Sequence, residues 1–161
     1  MTIKVGDKLP NATFRIVTED GPRPVTTQEF FAGKTIVLFG LPGAFTPTCH
    51  KNHLPGFIAN DAAFKAKGVV EVAMTSVNDP FVLSAWSKDT GAGGHVTFLA
   101  DGSAEFAKAA GLDFDASANG LGVRSRRYSM LVEDGVVKLL NIEESPGKAD
   151  LSTAEHLLGQ M

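Results

Sequence analysis

The run Thr35-Ile36-Val37-Leu38-Phe39-Gly40 limits the fold more than any other stretch of the chain. It is apolar at nearly every position, as in a strand covered on both faces within a central parallel or mixed sheet. The loop that follows, Pro42-Gly43-Ala44-Phe45-Thr46-Pro47-Thr48-Cys49-His50, holds the only cysteine. Beyond it Leu54, Phe57, Ile58, Ala62 and Phe64 recur at roughly helical spacing. A thiol between a core strand and a helix start lies where unpaired backbone N–H groups concentrate partial positive charge. Such a place favours the thiolate, the nucleophilic form of the side chain. Anywhere else, a lone cysteine reads as a small buried hydrophobe.

The length of 161 residues suits a single domain, 1–161, with a core large enough to fold unaided. Fifteen basic against 18 acidic residues leave a net charge of −3, which argues against a nucleic-acid or anionic-membrane partner. The start Met1-Thr2-Ile3-Lys4-Val5-Gly6-Asp7 has no apolar signal core, and no later run approaches a membrane span. One cysteine permits no intramolecular disulfide, so a reducing, cytoplasmic setting is the expectation.

Taken in order, residues 1–12 are an extended lead-in and Thr13–Val17 alternate as a strand. Residues 18–34, with Gly21, Pro22, Pro24 and Gly33, read mostly as loop, with one helical turn at Thr27–Phe31. The helix after Cys49 is expected to make a first turn at Cys49–His53, kink at Pro55 and stop at Gly68. Val69–Thr75 is a second buried strand. Asp79 and Pro80 start a helix that ends near Gly91, with Val82, Ala85 and Trp86 on one face. Val96–Ala100 is a third core strand. Ser103 is expected to cap a short helix closed by Gly111, and residues 112–123 to form a surface loop. Tyr128–Val132 and Val136–Ile142 flank Asp134-Gly135, a hairpin dipeptide. Ser152 with Glu155 suggests a capping box for the last helix.

Strands alternating with helices and ending in an antiparallel hairpin predict an α/β fold: a central mixed β-sheet flanked by helices. The thioredoxin-like arrangement is the economical match, since its redox thiol starts a helix directly after a central strand.

With no Cys-x-x-Cys, Cys49 cannot resolve itself as a dithiol oxidoreductase does. Oxidation by one molecule and rescue by another remains open to a single sulfur. Attack on a peroxide O–O bond does this, giving a sulfenic acid. Ionisation alone cannot make that step fast. An ordinary thiol is already a few per cent thiolate at neutral pH, so full ionisation gains only roughly tenfold to thirtyfold. Placed donors must also hold the peroxide and stabilise the departing oxygen. Thr46, one turn before Cys49, the Cys49 amide and an arginine fork are candidates, and Pro42 and Pro47 would stiffen and shield the loop. Charge alone does not choose among Arg124, Arg126 and Arg127, although alternation sets Arg126 opposite Arg127.

At these residues the chain resembles the peroxiredoxins. Pro42-x-x-x-Thr46-x-x-Cys49 matches their active-site motif, and the longer Pro-Gly-Ala-Phe-Thr-Pro-Thr-Cys with His53-Leu54-Pro55-Gly56-Phe57 is similar to the type II, fifth-isoform-like branch. Asn78-Asp79-Pro80-Phe81 with Trp86, and Arg127-Tyr128-Ser129-Met130 before Asp134-Gly135, extend the resemblance over essentially the whole chain. It implies a thioredoxin-fold, cofactor-free peroxidase acting on hydrogen peroxide and small alkyl hydroperoxides. By that resemblance Cys49 is the peroxidatic cysteine, Thr46 and Arg127 bind the peroxide, Pro42 shields it and His53 lines the pocket. Gly43 and Phe45, within the same motif, join the binding set. His50 departs from the usual serine, and the absent resolving cysteine implies an external reductant, either glutathione with glutaredoxin or thioredoxin. The resemblance further implies a homodimer supported by aromatic side chains near the loop.

Other readings weigh against these. Cys49, His50 and His53 share a helix face but lack a fourth ligand nearby, so a metal site is not expected. Trp86, Phe81 and Phe45 are most simply core. A protonated His50 would add positive charge beside the thiolate. A non-catalytic redox sensor or chaperone-like protein is the alternative function.

Overall fold

The computed structural model describes all 161 residues. The chain begins with β1 (Thr13–Thr18), β2 (Gly21–Thr26), α1 (Thr27–Phe31) and β3 (Thr35–Gly40). A π-helical turn (Cys49–His53) then leads into α2 (Leu54–Ala66), β4 (Glu71–Ser76), α3 (Pro80–Thr90), β5 (Thr97–Ala100) and α4 (Glu105–Ala109). Two short strands, β6 (Asp113–Asp115) and β7 (Val123–Ser125), precede β8 (Tyr128–Glu133), β9 (Val136–Ile142) and α5 (Ala154–Gln160). Seven strands form one mixed sheet in the order β2-β1-β5-β4-β3-β8-β9. Pairs β3–β4 and β4–β5 are parallel, and the remaining pairs are antiparallel.

The apolar run lies at the centre of this sheet and feeds a core on each face. Ile36 and Leu38 point to one side with Phe14, Phe31, Met130 and Val132. Val37, Phe39 and Leu41 point to the other with Leu54, Phe57, Trp86, Leu157 and Cys49. This double covering is why β3 carries no polar alternation. At its end Gly40 faces Tyr128 of β8, and a Cβ there would lie 2.2 Å from the Tyr128 ring. Glycine lets that ring lie over the end of β3, next to Arg127 in the chain.

The structure differs from the sequence expectations in five places, and again at Pro55. Residues 21–26 are a strand despite Pro22 and Pro24, because β2 is an edge, where a missing N–H costs no ladder bond. The loop at 112–123 holds the β6–β7 ribbon. On α3, Leu83 and Trp86 are buried while Val82 and Ala85 face outward. The first turn of α4 is capped by Asp101, which accepts from the Phe106 and Ala107 amides, and not by Ser103. Thr153, not Ser152, caps α5.

Pro55 does not kink a helix interior. It stands in the first turn of α2, and the segment before it widens so that the Leu54 N–H donates to the Cys49 carbonyl. A proline that can neither donate nor tolerate the carbonyl of the preceding turn displaces the ladder to the wider π register.

Candidate active site

Cys49 sits at the start of the π turn, with no exposed surface, on the sheet face lined by Val37 and Phe39. The Thr46 carbonyl accepts the first helical bond, from the His50 N–H at 2.9 Å. Thr46 is therefore the N-cap, and Pro47 occupies the first helical position, where its missing N–H costs nothing. The Thr46 hydroxyl donates to the Gly43 carbonyl at 2.7 Å, which closes the loop turn. Its hydrogen is committed, so its lone pairs remain as acceptors only.

Arg127 is the partner of the sulfur. Its Nη2 donates to Cys49 Sγ at 3.0 Å, although the two residues are 78 positions apart in the chain. Nε and Nη2 both donate to the Pro146 carbonyl, at 3.1 and 3.0 Å, and Nη1 lies 3.0 Å from His53 Nδ1. Four of the five guanidinium N–H groups are thus placed, leaving one on Nη1. The guanidinium is buried, and none of the four ion pairs in the molecule includes it. A buried cation without a counter-ion is costly. The sulfur is the one group in contact with it that can become an anion.

His53 is equally buried, packed edge-on against Phe39 and Phe57. Its Nε2 lies 2.9 Å from the Ser152 carbonyl, which can only accept, so the proton sits on Nε2 and Nδ1 accepts from Arg127. Burial first, then the Arg127 charge, push the His53 pKa from 6.5 down to about 3. The unfolded chain therefore takes up a proton near pH 6.5 that the folded chain refuses until about pH 3, so stability falls as pH drops across that interval. Between pH 7 and 5 this loss is about 2 kcal/mol. Urea unfolding of wild type and His53→Gln at both pH values checks this: the variant should lose that much less, whereas equal losses would contradict it.

The other arginines have different duties. Arg124 Nη1 donates to the Pro42 carbonyl at 3.2 Å, and a Cβ on Gly43 would stand 2.5 Å from that nitrogen. Glycine at 43 thus makes room for the arginine that anchors buried Pro42. Arg126 Nη2 reaches the Glu143 carbonyl at 3.3 Å. Asn78 Oδ1 accepts from the Ala44 N–H and from Ser76 Oγ, which ties the loop to β4.

Three residues depart from or add to expectation. His50 Nδ1 accepts from Trp86 Nε1–H at 2.9 Å, a bond the sequence did not suggest. It is a brace between the turn and α3, with its Nε2 3.9 Å from Asp89. Phe45 and Phe81 are not core: they are 50% and 69% exposed, and Phe45 holds a left-handed φ of 64°. Trp86 is the buried member of that group. The loop-tying role of Asn78, the Pro42 contact of Arg124, Glu143 and the Pro146 and Ser152 carbonyls escaped the sequence reading. Asn78 and Arg124 stood in stretches already singled out, but backbone carbonyls leave no signal in residue type.

The chain matches the Redoxin family model over residues 4–158. It is similar to peroxiredoxin-2E-2 (chloroplastic) of Oryza sativa subsp. japonica, 51% identical over 98% of this chain and 72% of that protein. Peroxiredoxin-2C of the same plant is 47% identical over 97% of this chain and 96% of its own length. The reduced Prx3 of Vibrio vulnificus in complex with hydrogen peroxide superposes with a TM-score of 0.94 at 46% identity, covering 99% of both chains.

Proposed function

The chain belongs to the peroxiredoxin family and is a thiol-dependent peroxidase; from that premise we propose that Cys49 is its nucleophile, with Arg127 and Thr46 as the groups that hold the peroxide. The observation that carries this reading is the Arg127 Nη2–Sγ bond made by a buried guanidinium with no carboxylate partner. The thiolate attacks one peroxide oxygen: an S–O bond forms and the O–O bond breaks. The electron pair leaves with the second oxygen, which takes up the proton the thiol released on ionising and departs as water, and Cys49 becomes a sulfenic acid. The peroxide O–H donates a hydrogen bond to Thr46 Oγ1, whose own hydrogen is bonded to the Gly43 carbonyl. The Cys49 amide and the remaining Arg127 Nη1–H stabilise charge on the departing oxygen. Pro42 and the Gly43–Phe45 backbone wall the pocket, and His53 holds the guanidinium at the correct tilt.

A second chain of support concerns reduction. One cysteine cannot form an internal disulfide, so an external thiol, glutathione with glutaredoxin or thioredoxin, closes the cycle. No such molecule reaches a fully covered sulfur while the Cys49–His53 turn is wound. The π register makes that turn the natural place to open. A compartment that keeps the free thiol reduced suits the cycle, and we assign the protein to the cytoplasm on that basis. Phe81 and Val82 are exposed on α3, and exposed Phe45 lies 6.2 Å from the Trp86 ring of the same helix; these apolar side chains support a homodimer formed across this side of the molecule. Peroxide consumption under excess reductant tests the catalytic reading. Sustained turnover with either thiol system is expected; consumption of one equivalent followed by arrest would instead indicate a sensor.

A further inference from the structure

Glu143 is a buried carboxylate outside the group that touches the sulfur, and no cation pairs with it. Three donors converge on its Oε2: the Asp150 N–H at 2.8 Å, the Ser152 N–H at 2.7 Å and the Ser152 hydroxyl at 2.7 Å. Its own N–H donates to the Arg127 carbonyl at 2.9 Å. Glu143 is therefore bonded through its backbone to the Arg127 backbone, and through its side chain to the far end of the loop 144–152. That loop has no helix or strand of its own, and residues 144–148 are exposed. Yet it supplies both carbonyls that orient the site: Pro146 O, which takes two bonds from the Arg127 guanidinium, and Ser152 O, which takes the His53 proton.

We infer that Glu143 is a positioning residue for the peroxidase reaction, acting through Arg127 by clamping the loop whose Pro146 and Ser152 carbonyls aim the guanidinium and His53. The physical need is plain. An arginine side chain has rotatable bonds to spare, and nothing on β8 fixes the roll of its fork. Two bonds to one carbonyl set that roll, and they do so only while the carbonyl stays in place. Carboxylate bonds to backbone N–H groups are charge-assisted and stronger than neutral ones, which suits a loop with little packing of its own. Released from the clamp, the loop lets the guanidinium turn away from the sulfur. A misplacement of about 1 Å caused at a distance from the chemistry costs about 100-fold in rate.

This inference rests on the role given to Arg127 above, and a double-mutant cycle separates the two. The single-turnover rate of Cys49 oxidation by hydrogen peroxide is measured for wild type, Glu143→Ala, Arg127→Met and the double variant, with circular dichroism confirming the fold of each. We expect Glu143→Ala to slow oxidation about 10- to 100-fold in the wild-type background and less than threefold once Arg127 is Met. A loss of threefold or more in the Arg127→Met background, or of less than threefold in the folded single variant, overturns the inference. An Arg127→Met rate equal to wild type would instead remove the Arg127 reading itself. Should Glu143→Ala not fold, Ser152→Ala, which deletes one donor and keeps the carboxylate, is judged by the same two limits.

Discussion

Arg127→Met is expected to slow peroxide oxidation of Cys49 by about 100- to 1,000-fold, roughly 3–4 kcal/mol of transition-state stabilisation. Two losses combine. The guanidinium is the only cation bonded to the sulfur, and it also offers the remaining Nη1–H to the departing oxygen. The first loss removes the charge-assisted bond to the sulfur, so alkylation of Cys49 by iodoacetamide should slow as well, though less than the peroxide reaction. The larger fall in the peroxide rate measures the second. The variant should still fold. Methionine is similar in length and apolar, and it replaces a buried charge that no carboxylate balances. Equal falls in the two rates would mean that Arg127 acts on the sulfur alone.

Thr46→Val should behave differently. Valine keeps the shape and removes the acceptor for the peroxide proton, so the peroxide rate should drop about 100-fold. Alkylation needs only a thiolate and no peroxide acceptor, and it should stay within about twofold of wild type. Thr46→Ser, which retains the hydroxyl that donates to Gly43 O, should recover most of the peroxide rate. Slowed alkylation in Thr46→Val would show that the residue supports the helix start and does not contact substrate. The contrast between the two variants is the sharper test. One group sets the state of the sulfur as well as the transition state, and the other only receives the peroxide.

The parts of this arrangement that could be read from the sequence are those where local chemistry and tertiary need coincide. The unbroken apolar run of β3 announces burial on both faces, and the Pro–Thr–Cys loop behind it announces a thiol at a helix start. Asp79-Pro80 and Asp134-Gly135 punctuate the chain because a cap and a tight turn each demand those residue types. What stayed hidden depends on distance along the chain. β2 looked like loop because its prolines are tolerable only on an edge, and edge position is a property of the assembled sheet. Ser152 looked like a helix cap, whereas its hydroxyl is drawn to Glu143 from nine positions away. The bond from the Trp86 N–H to His50, across 36 positions, was equally out of sight. Phe81 and Val82, read as interior by type or by spacing, face outward because Leu83 and Trp86 fill the available depth of the core. Spacing singled out Thr46 and the family resemblance Arg127, but the Pro146 carbonyl that aims the guanidinium has no side-chain signature at all.

The most direct test of the account is a stopped-flow reaction of the reduced protein with one equivalent of hydrogen peroxide, trapped for sulfenic acid, beside Cys49→Ser. Complete oxidation of Cys49 at a rate orders of magnitude above that of a free thiol, with none in the variant, is the predicted result. Oxidation at the pace of free cysteine would contradict it, because the buried Arg127 fork and the Thr46 acceptor would then contribute nothing to the chemistry of the sulfur.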